Sequence, residues 1–227
     1  SKQPQYKNIP ELIKSLELPR EWQQELFDYC CHKQIEFIST PFDENAVDQL
    51  MDVGVKRFKI AGFEATDPRF VKYVASTNLP IVISAGIGCD IDMVDTIYEW
   101  IREENTSGEV TFLHCNNAYP TPFEDINLGQ MSRLIKKWAP AKTIHVGLSD
   151  HTLGTLIPPI AVGMGAKCIE KHFTISRHLC GPDHPFAIQP EELKEMVQTI
   201  RLVESCLGTK GEYSKSEQSF KMARRSI

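Results

Sequence analysis

The sequence predicts an α/β fold, a (β/α)8 barrel in which about six βα units are visible. Two observations carry this. Short β-rich apolar runs alternate with amphipathic helical stretches, and the polar residues gather at the carboxyl end of every run. Alternation of this kind points to parallel βαβ units. Polar tips on six successive runs favour a ring of TIM type, whose ligand site is assembled from the ends of several strands. A doubly wound sheet instead binds at one switch point.

The elements follow in order. A helix over about Pro19–Lys33 precedes the first run, Ile35–Thr40. The later runs are Arg57–Gly62, Pro80–Gly86, Val110–Cys115, Thr143–Ser149 and Lys167–Thr174. They are almost continuously apolar, as strands buried on both faces are. Amphipathic segments lie between them at Glu44–Val53, Pro68–Thr77, Ile91–Glu103, Leu128–Trp138 and Leu156–Met164. A last helix opens at Pro190-Glu191-Glu192 and runs to Leu207, with the proline and acids that suit a first turn. A closed barrel needs eight strands, so a leading β-α-β is expected to be missing from 1–207. The polar stretch 208–227 reads as a linker.

Composition narrows the function. The chain of 227 residues is 41% hydrophobic and 24% charged, with a formal charge of −5. No basic patch stands out, so a nucleic-acid partner is not expected. No stretch is apolar and long enough to span a membrane. Seven cysteines without a zinc-type spacing read as reduced thiols of a cytoplasmic protein.

The strand tips carry the chemistry. Ser149-Asp150-His151-Thr152 and Glu170-Lys171-His172-Phe173-Thr174 end adjacent runs. Two imidazoles so placed can share a divalent ion and leave positions open for Lewis-acid work, or each can be a hydrogen-bonded barrel residue. Lys59 alternates onto one face with Arg57 and Ala61. A cation inside a barrel needs a partner, and an anionic ligand would supply one. A Schiff-base lysine is the rival reading of Lys59. Glu64, just beyond that strand, is placed to act as an acid or base, or is a solvated loop residue. Thr40, Ser84, Asn117 and Ser149 are neutral hydrogen-bonding groups of the kind that hold phosphate oxygens. Ser84-Ala85-Gly86-Ile87-Gly88 lets a ligand approach the backbone closely. His114 to Pro122 forms a stiff, proline-bearing tip, and Gly181-Pro182-Asp183-His184 reads as a turn that can return a carboxylate to the pocket.

His114-Cys115-Asn116-Asn117-Ala118-Tyr119-Pro120-Thr121-Pro122, Gly147-Leu148-Ser149-Asp150-His151-Thr152, Gly165-Ala166-Lys167-Cys168-Ile169-Glu170-Lys171-His172-Phe173-Thr174 and Gly181-Pro182-Asp183-His184 occur in that order. With Ile38-Ser39-Thr40-Pro41-Phe42, Phe58-Lys59-Ile60 and the closing Ala223-Arg224-Arg225-Ser226-Ile227, they resemble the N-acetylneuraminate (sialic acid) synthase family over essentially the whole chain. The resemblance implies a (β/α)8 barrel followed by a small antifreeze-like domain, toward which 208–227 would lead. It implies condensation of phosphoenolpyruvate with an N-acetylated hexosamine aldehyde to give a sialic-acid-type nonulosonate and phosphate. It implies manganese, or another divalent ion such as Mg2+ or Co2+, on His151 and His172. Phosphoenolpyruvate contacts fall on Thr40, Lys59, Ser84, Asn117 and Ser149, sugar contacts on Tyr119 and Asp183, and a reacting-centre carboxylate on Glu64. A homodimer is implied for the full-length protein.

Departures from the family pattern matter. Gly62-Phe63-Glu64 stands where Ser-Gly-Glu is usual, so a phosphate-contacting hydroxyl is missing and Phe63 would reshape the sugar site. Site residues carried by the family's leading β-α-β are not among these. A catalytically incomplete barrel that binds sugar phosphates or a partner subunit is therefore the alternative, and a Schiff-base aldolase a further one.

Overall fold

A computed structural model describes residues 11, 14, 16–86, 89–208 and 215–218. Five parallel strands, β1 (Phe58–Ile60), β2 (Ile81–Ala85), β3 (Val110–Cys115), β4 (Ile144–Asp150) and β5 (Ile169–Lys171), pair in simple chain order. Without a reversal of order there is no switch point, and the sheet curls into an arc of a TIM-type barrel. The curl is tight enough that Lys59 on β1 and Glu170 on β5, at opposite ends of the arc, stand 3.5 Å apart across the interior.

Helices α1 (Trp22–His32), α2 (Glu44–Val53), α3 (Pro68–Ser76), α4 (Ile91–Glu104), α5 (Leu128–Trp138), α6 (Ile157–Gly163) and α7 (Pro190–Leu207) accompany the strands. Their starts are written locally. Asp43, Asp67 and Asp90 each accept a hydrogen bond from a first-turn backbone N–H of α2, α3 and α4, satisfying donors a helix start leaves open. Gln189 and Glu192 form a reciprocal capping box on α7. Gly54 ends α2 with φ +92° and returns its N–H to Leu50.

Alternation along the strands sorts the side chains. Phe58, Ile60, Ile81, Ile83, Val110, Phe112, Ile144, Val146 and Leu148 pack outward against Val47, Leu50, Val71, Val74, Ile97, Ile101, Met131 and Leu134 of the helices. Each such side chain contributes roughly 1.5–3 kcal/mol on burial. The inner face holds Lys59, Ser84, Cys115, Gly147, Ser149 and Glu170. At Gly147 an added Cβ would stand 2.3 Å from the Cys168 carbonyl oxygen, so only glycine fits between β4 and β5.

The expectation of six strands requires a correction. Ile35–Thr40 forms no strand, although its composition suits one. An extended run becomes a strand only by sharing a ladder, and the described pairing of β1 is with β2 alone. The segment is tied instead by Arg57 Nε to Glu36 Oε1 at 2.5 Å and by Phe37 packed on the core. Lys167–Thr174 contracts to three strand residues, followed by a bridge from Phe173 to Ile188. Lys215–Gln218 is one helical turn. Most of the expected linker, the closing Ala223–Ile227 and Ile87-Gly88 lie outside the described residues.

Candidate active site at the carboxyl ends of the strands

The inner face carries a line of polar contacts across the arc. Lys59, 7% exposed, donates from Nζ to Ser84 Oγ at 2.9 Å and to the Ile60 carbonyl at 3.1 Å. Glu170 Oε2 stands 3.5 Å from the same ammonium. The other carboxylate oxygen, Oε1, accepts from Ser149 Oγ at 2.6 Å. Ser149 Oγ in turn lies 3.5 Å from His151 Nε2. Four strands thus contribute to one continuous network. Glu170 offsets part of the cost of burying the Lys59 cation.

The parallel register makes this arrangement. Ser149 pairs with Glu170 and Asp150 with Lys171. Two residues past the Ser149–Glu170 rung, His151 and His172 follow on the inner side, with ring centroids 5.2 Å apart. His151 Nδ1 is 2.7 Å from the Asn116 carbonyl oxygen. A carbonyl only accepts, so Nδ1 donates, and neutral His151 carries its lone pair on Nε2. His172 Nδ1 lies 3.4 Å from Asp183 Oδ2. Burial pushes the His172 imidazole below its ordinary value, and the Asp183 carboxylate opposes that. Among the described residues no three His, Cys, Asp or Glu side chains gather closely enough to hold an ion. The residues that could hold a divalent ion here are the two imidazoles, a two-ligand set that would leave the remaining positions to water or a ligand oxygen.

Tyr119 covers this pair, with its ring 4.2 Å from that of His151 and 5.8 Å from that of His172. It precedes a cis peptide to Pro120. Burial raises its phenol above the ordinary value. Asn117 fills the space over two glycines: a Cβ on Gly86 would meet its Oδ1 at 2.2 Å, and one on Gly62 its Nδ2 at 3.4 Å. Next to it the Cys115 thiol is pushed up to about 11 by burial, which keeps it a neutral packing group rather than a nucleophile.

Glu64 has one carboxylate oxygen, Oε2, buried without a hydrogen-bond partner. Burial pushes its carboxyl above the ordinary glutamate value, and the nearby Lys59 charge offsets this only in part. A carboxyl so poised is suited to proton transfer. Phe63 beside it is exposed.

The expected residues therefore divide. Lys59 and Ser84 are joined directly and Ser149 through Glu170, with His151 Nε2 3.5 Å from the Ser149 hydroxyl, and Tyr119, His172 and Asp183 cluster at the same end. Asn117 abuts the network through Cys115, whose Sγ lies 3.8 Å from Asn117 Oδ1. Thr40 stands half-buried on the 35–41 segment and joins the network by no hydrogen bond among the described residues. Glu170 was not among the expected residues, although it is central. Its signal was present: it lies two residues before His172 on a strand and so shares that face.

All seven cysteines are free thiols, and no described helix is long and apolar enough to cross a membrane. Residues 1–212 match the model of the NeuB family, and the chain belongs to that family. It is 41% identical over 223 residues to N,N'-diacetyllegionaminic acid synthase of Legionella pneumophila, covering 96% of this chain and 61% of that protein. It is 41% identical over 199 residues to the spore coat polysaccharide biosynthesis protein SpsE of Bacillus subtilis, covering 87% and 52%. Its fold matches the crystal structure of the N-acetylneuraminic acid synthetase of Leptospira borgpetersenii with a TM-score of 0.84 at 29% identity, over 95% of this chain and 74% of that one. The chain thus spans between half and two-thirds of the length of these curated relatives. The family and the partial TIM-type barrel stand on these matches.

Proposed function

We propose that the site condenses phosphoenolpyruvate with the open-chain aldehyde of an N-acetylated hexosamine, giving a sialic-acid-type nonulosonate and inorganic phosphate. The observation that carries the reading is the juxtaposition on one inner face of the Lys59–Ser84–Ser149 network with the His151–His172 pair. One half suits a phosphorylated carboxylate and the other a polarised carbonyl oxygen.

Lys59, Ser84, Ser149 and Asn117 would bind and orient phosphoenolpyruvate. Charge-assisted contact to Lys59 is the strongest single anchor in that set. Tyr119 and Asp183 would line the sugar side. A divalent ion held by His151 and His172, with Mn2+ the first candidate, would supply Lewis acidity at the aldehyde oxygen. Carbon 3 of phosphoenolpyruvate bonds to the aldehyde carbon, whose oxygen takes a proton. Cationic character is left at carbon 2, water adds there, and phosphate departs with C–O cleavage. Glu64, whose carboxyl burial pushes above its ordinary value, serves as the proton-transfer group. The residues act mainly by holding two reactants in line and by stabilising charge. Phosphoenolpyruvate is a cytoplasmic metabolite, so the reading places the protein in the cytoplasm, and a homodimer of the full-length protein belongs to the same reading.

The test is phosphate release from phosphoenolpyruvate with Mn2+ and a panel of N-acetylated hexosamines, with and without EDTA. Release is expected to need both sugar and metal and to vanish in His151→Ala and His172→Ala. Release that persists without sugar, or in EDTA, refutes the reaction as written.

A further inference from the structure

Asp150 and Lys171 form an ion pair that the network above does not use. Lys171 Nζ lies 2.6 Å from Asp150 Oδ2 and donates to the Thr152 carbonyl at 2.5 Å. Asp150 Oδ1 accepts from the Thr152 backbone N–H at 3.0 Å. Both side chains are buried, at 4% exposure for Lys171 and 0% for Asp150.

We propose that this pair is a positioning device: it locks the tips of β4 and β5 in register from the outer side of the sheet and so sets the spacing of His151 and His172 on the inner side. The inference rests on the metal reading of those two histidines. Three observations support it. The pair occupies the last rung of the β4–β5 ladder, Asp150 opposite Lys171, and the next residue on each strand is a histidine. Strand alternation turns the pair outward and the histidines inward. One ammonium clamps both neighbours of His151, through the Asp150 side chain and the Thr152 carbonyl.

The two strand tips also differ in what else holds them. The β4 tip is tied toward β3 by His151 Nδ1 on the Asn116 carbonyl and by the Thr121 N–H on the His151 carbonyl at 2.9 Å. β5 has three residues and shares three rungs with β4. Beyond Lys171, its tip is held by the Ile188 N–H on the His172 carbonyl at 2.9 Å. A buried ion pair is seldom retained for stability, since apolar replacement is often neutral or favourable. Fixing a register is the better-attested use.

The test compares the wild-type chain, Asp150→Asn/Lys171→Met and His151→Ala. The neutral double variant leaves no unpaired buried charge and keeps an acceptor for the Thr152 N–H, so it is expected to fold, as circular dichroism and thermal melting will show. Mn2+ affinity is read from the electron paramagnetic resonance signal of the free ion. The double variant is expected to bind Mn2+ about 10–100-fold more weakly than wild type, the usual range for outer partners of metal ligands. Wild-type affinity in a folded double variant overturns the inference and leaves the metal reading intact. A wild-type chain that binds Mn2+ no better than His151→Ala overturns both. Should the double variant not fold, Asp150→Leu/Lys171→Met removes the pair without leaving a buried charge; unaltered Mn2+ affinity there overturns the inference equally.

Discussion

Replacing Lys59 by methionine separates the two tasks assigned to it. Methionine keeps most of the alkyl stem and removes the ammonium, together with its hydrogen bonds to Ser84 and the Ile60 carbonyl and its contact with Glu170. The stability cost is modest. Glu170 is left without its cation, but its side chain is 39% exposed and can turn to water, and it keeps the Ser149 hydroxyl. Two neutral partners lose one hydrogen bond each, at about 0.5–1.5 kcal/mol apiece. A loss of about 1–3 kcal/mol in unfolding free energy follows, readable by urea denaturation.

Ligand binding suffers more. A hydrogen bond to a charged group contributes about 1.5–3 kcal/mol, so phosphoenolpyruvate affinity should fall about 10–150-fold. Titration calorimetry with phosphoenolpyruvate measures it directly, and the KM for phosphoenolpyruvate should rise in parallel while that for the sugar changes little. Unchanged phosphoenolpyruvate affinity in a folded Lys59→Met protein would refute the anion-binding role. Borohydride with substrate should label neither protein, because the ammonium is engaged as a donor; trapping on Lys59 would establish the Schiff-base alternative instead.

Three further outcomes are expected. Glu64→Gln should abolish most turnover and flatten the pH dependence of stability. With its folded-state pKa raised by burial, Glu64 weighs least on the fold below the ordinary glutamate value and progressively more as pH rises through the shifted one; the variant should therefore gain melting temperature relative to wild type toward neutral pH, and an equal pH profile for the two proteins would refute the assignment. Gly86→Ala should leave the melting temperature almost unchanged but weaken phosphoenolpyruvate binding about tenfold, since its Cβ would displace the Asn117 amide, the far end of a movable side chain whose hydrogen bond to a charged ligand is lost; full affinity would remove Asn117 from the site. Gly147→Ala drives a Cβ against the Cys168 backbone carbonyl, which cannot swing away, and should cost about 3 kcal/mol or more by overpacking, measured by thermal or urea unfolding; a melting temperature equal to wild type would mean that β5 does not lie where it is described.

How much of this was legible beforehand depends on whether the information is local. The bounds of Glu44–Val53, Leu128–Trp138 and Pro190–Leu207 coincide with α2, α5 and α7, because the apolar period is written within each segment and a cap marks the start of α2 and of α7. Ile35–Thr40 reads as a strand yet forms none, because a strand is defined by its neighbour, and no feature of Ile-Glu-Phe-Ile-Ser-Thr states whether a ladder partner is free. The site divides along the same line. Period-two alternation from Lys59, Ser149 and His172 assigns the inner face without reference to any other strand, and it assigns Glu170 as well.

What alternation cannot supply is the rung. That Ser149 stands opposite Glu170, and Asp150 opposite Lys171, depends on how far β5 is slid along β4. Slid by one residue, β5 would turn Glu170 outward to meet the apolar helices and bring Lys171 inward beside Lys59. The observed register pairs each of these charged groups with an opposite charge or a hydroxyl and places both histidines inside. The polar residues of the two motifs therefore specify the register as well as the chemistry. On that argument a substitution on the outer side of β5 should be read in metal affinity as well as in stability, even though no outward side chain touches the ligand.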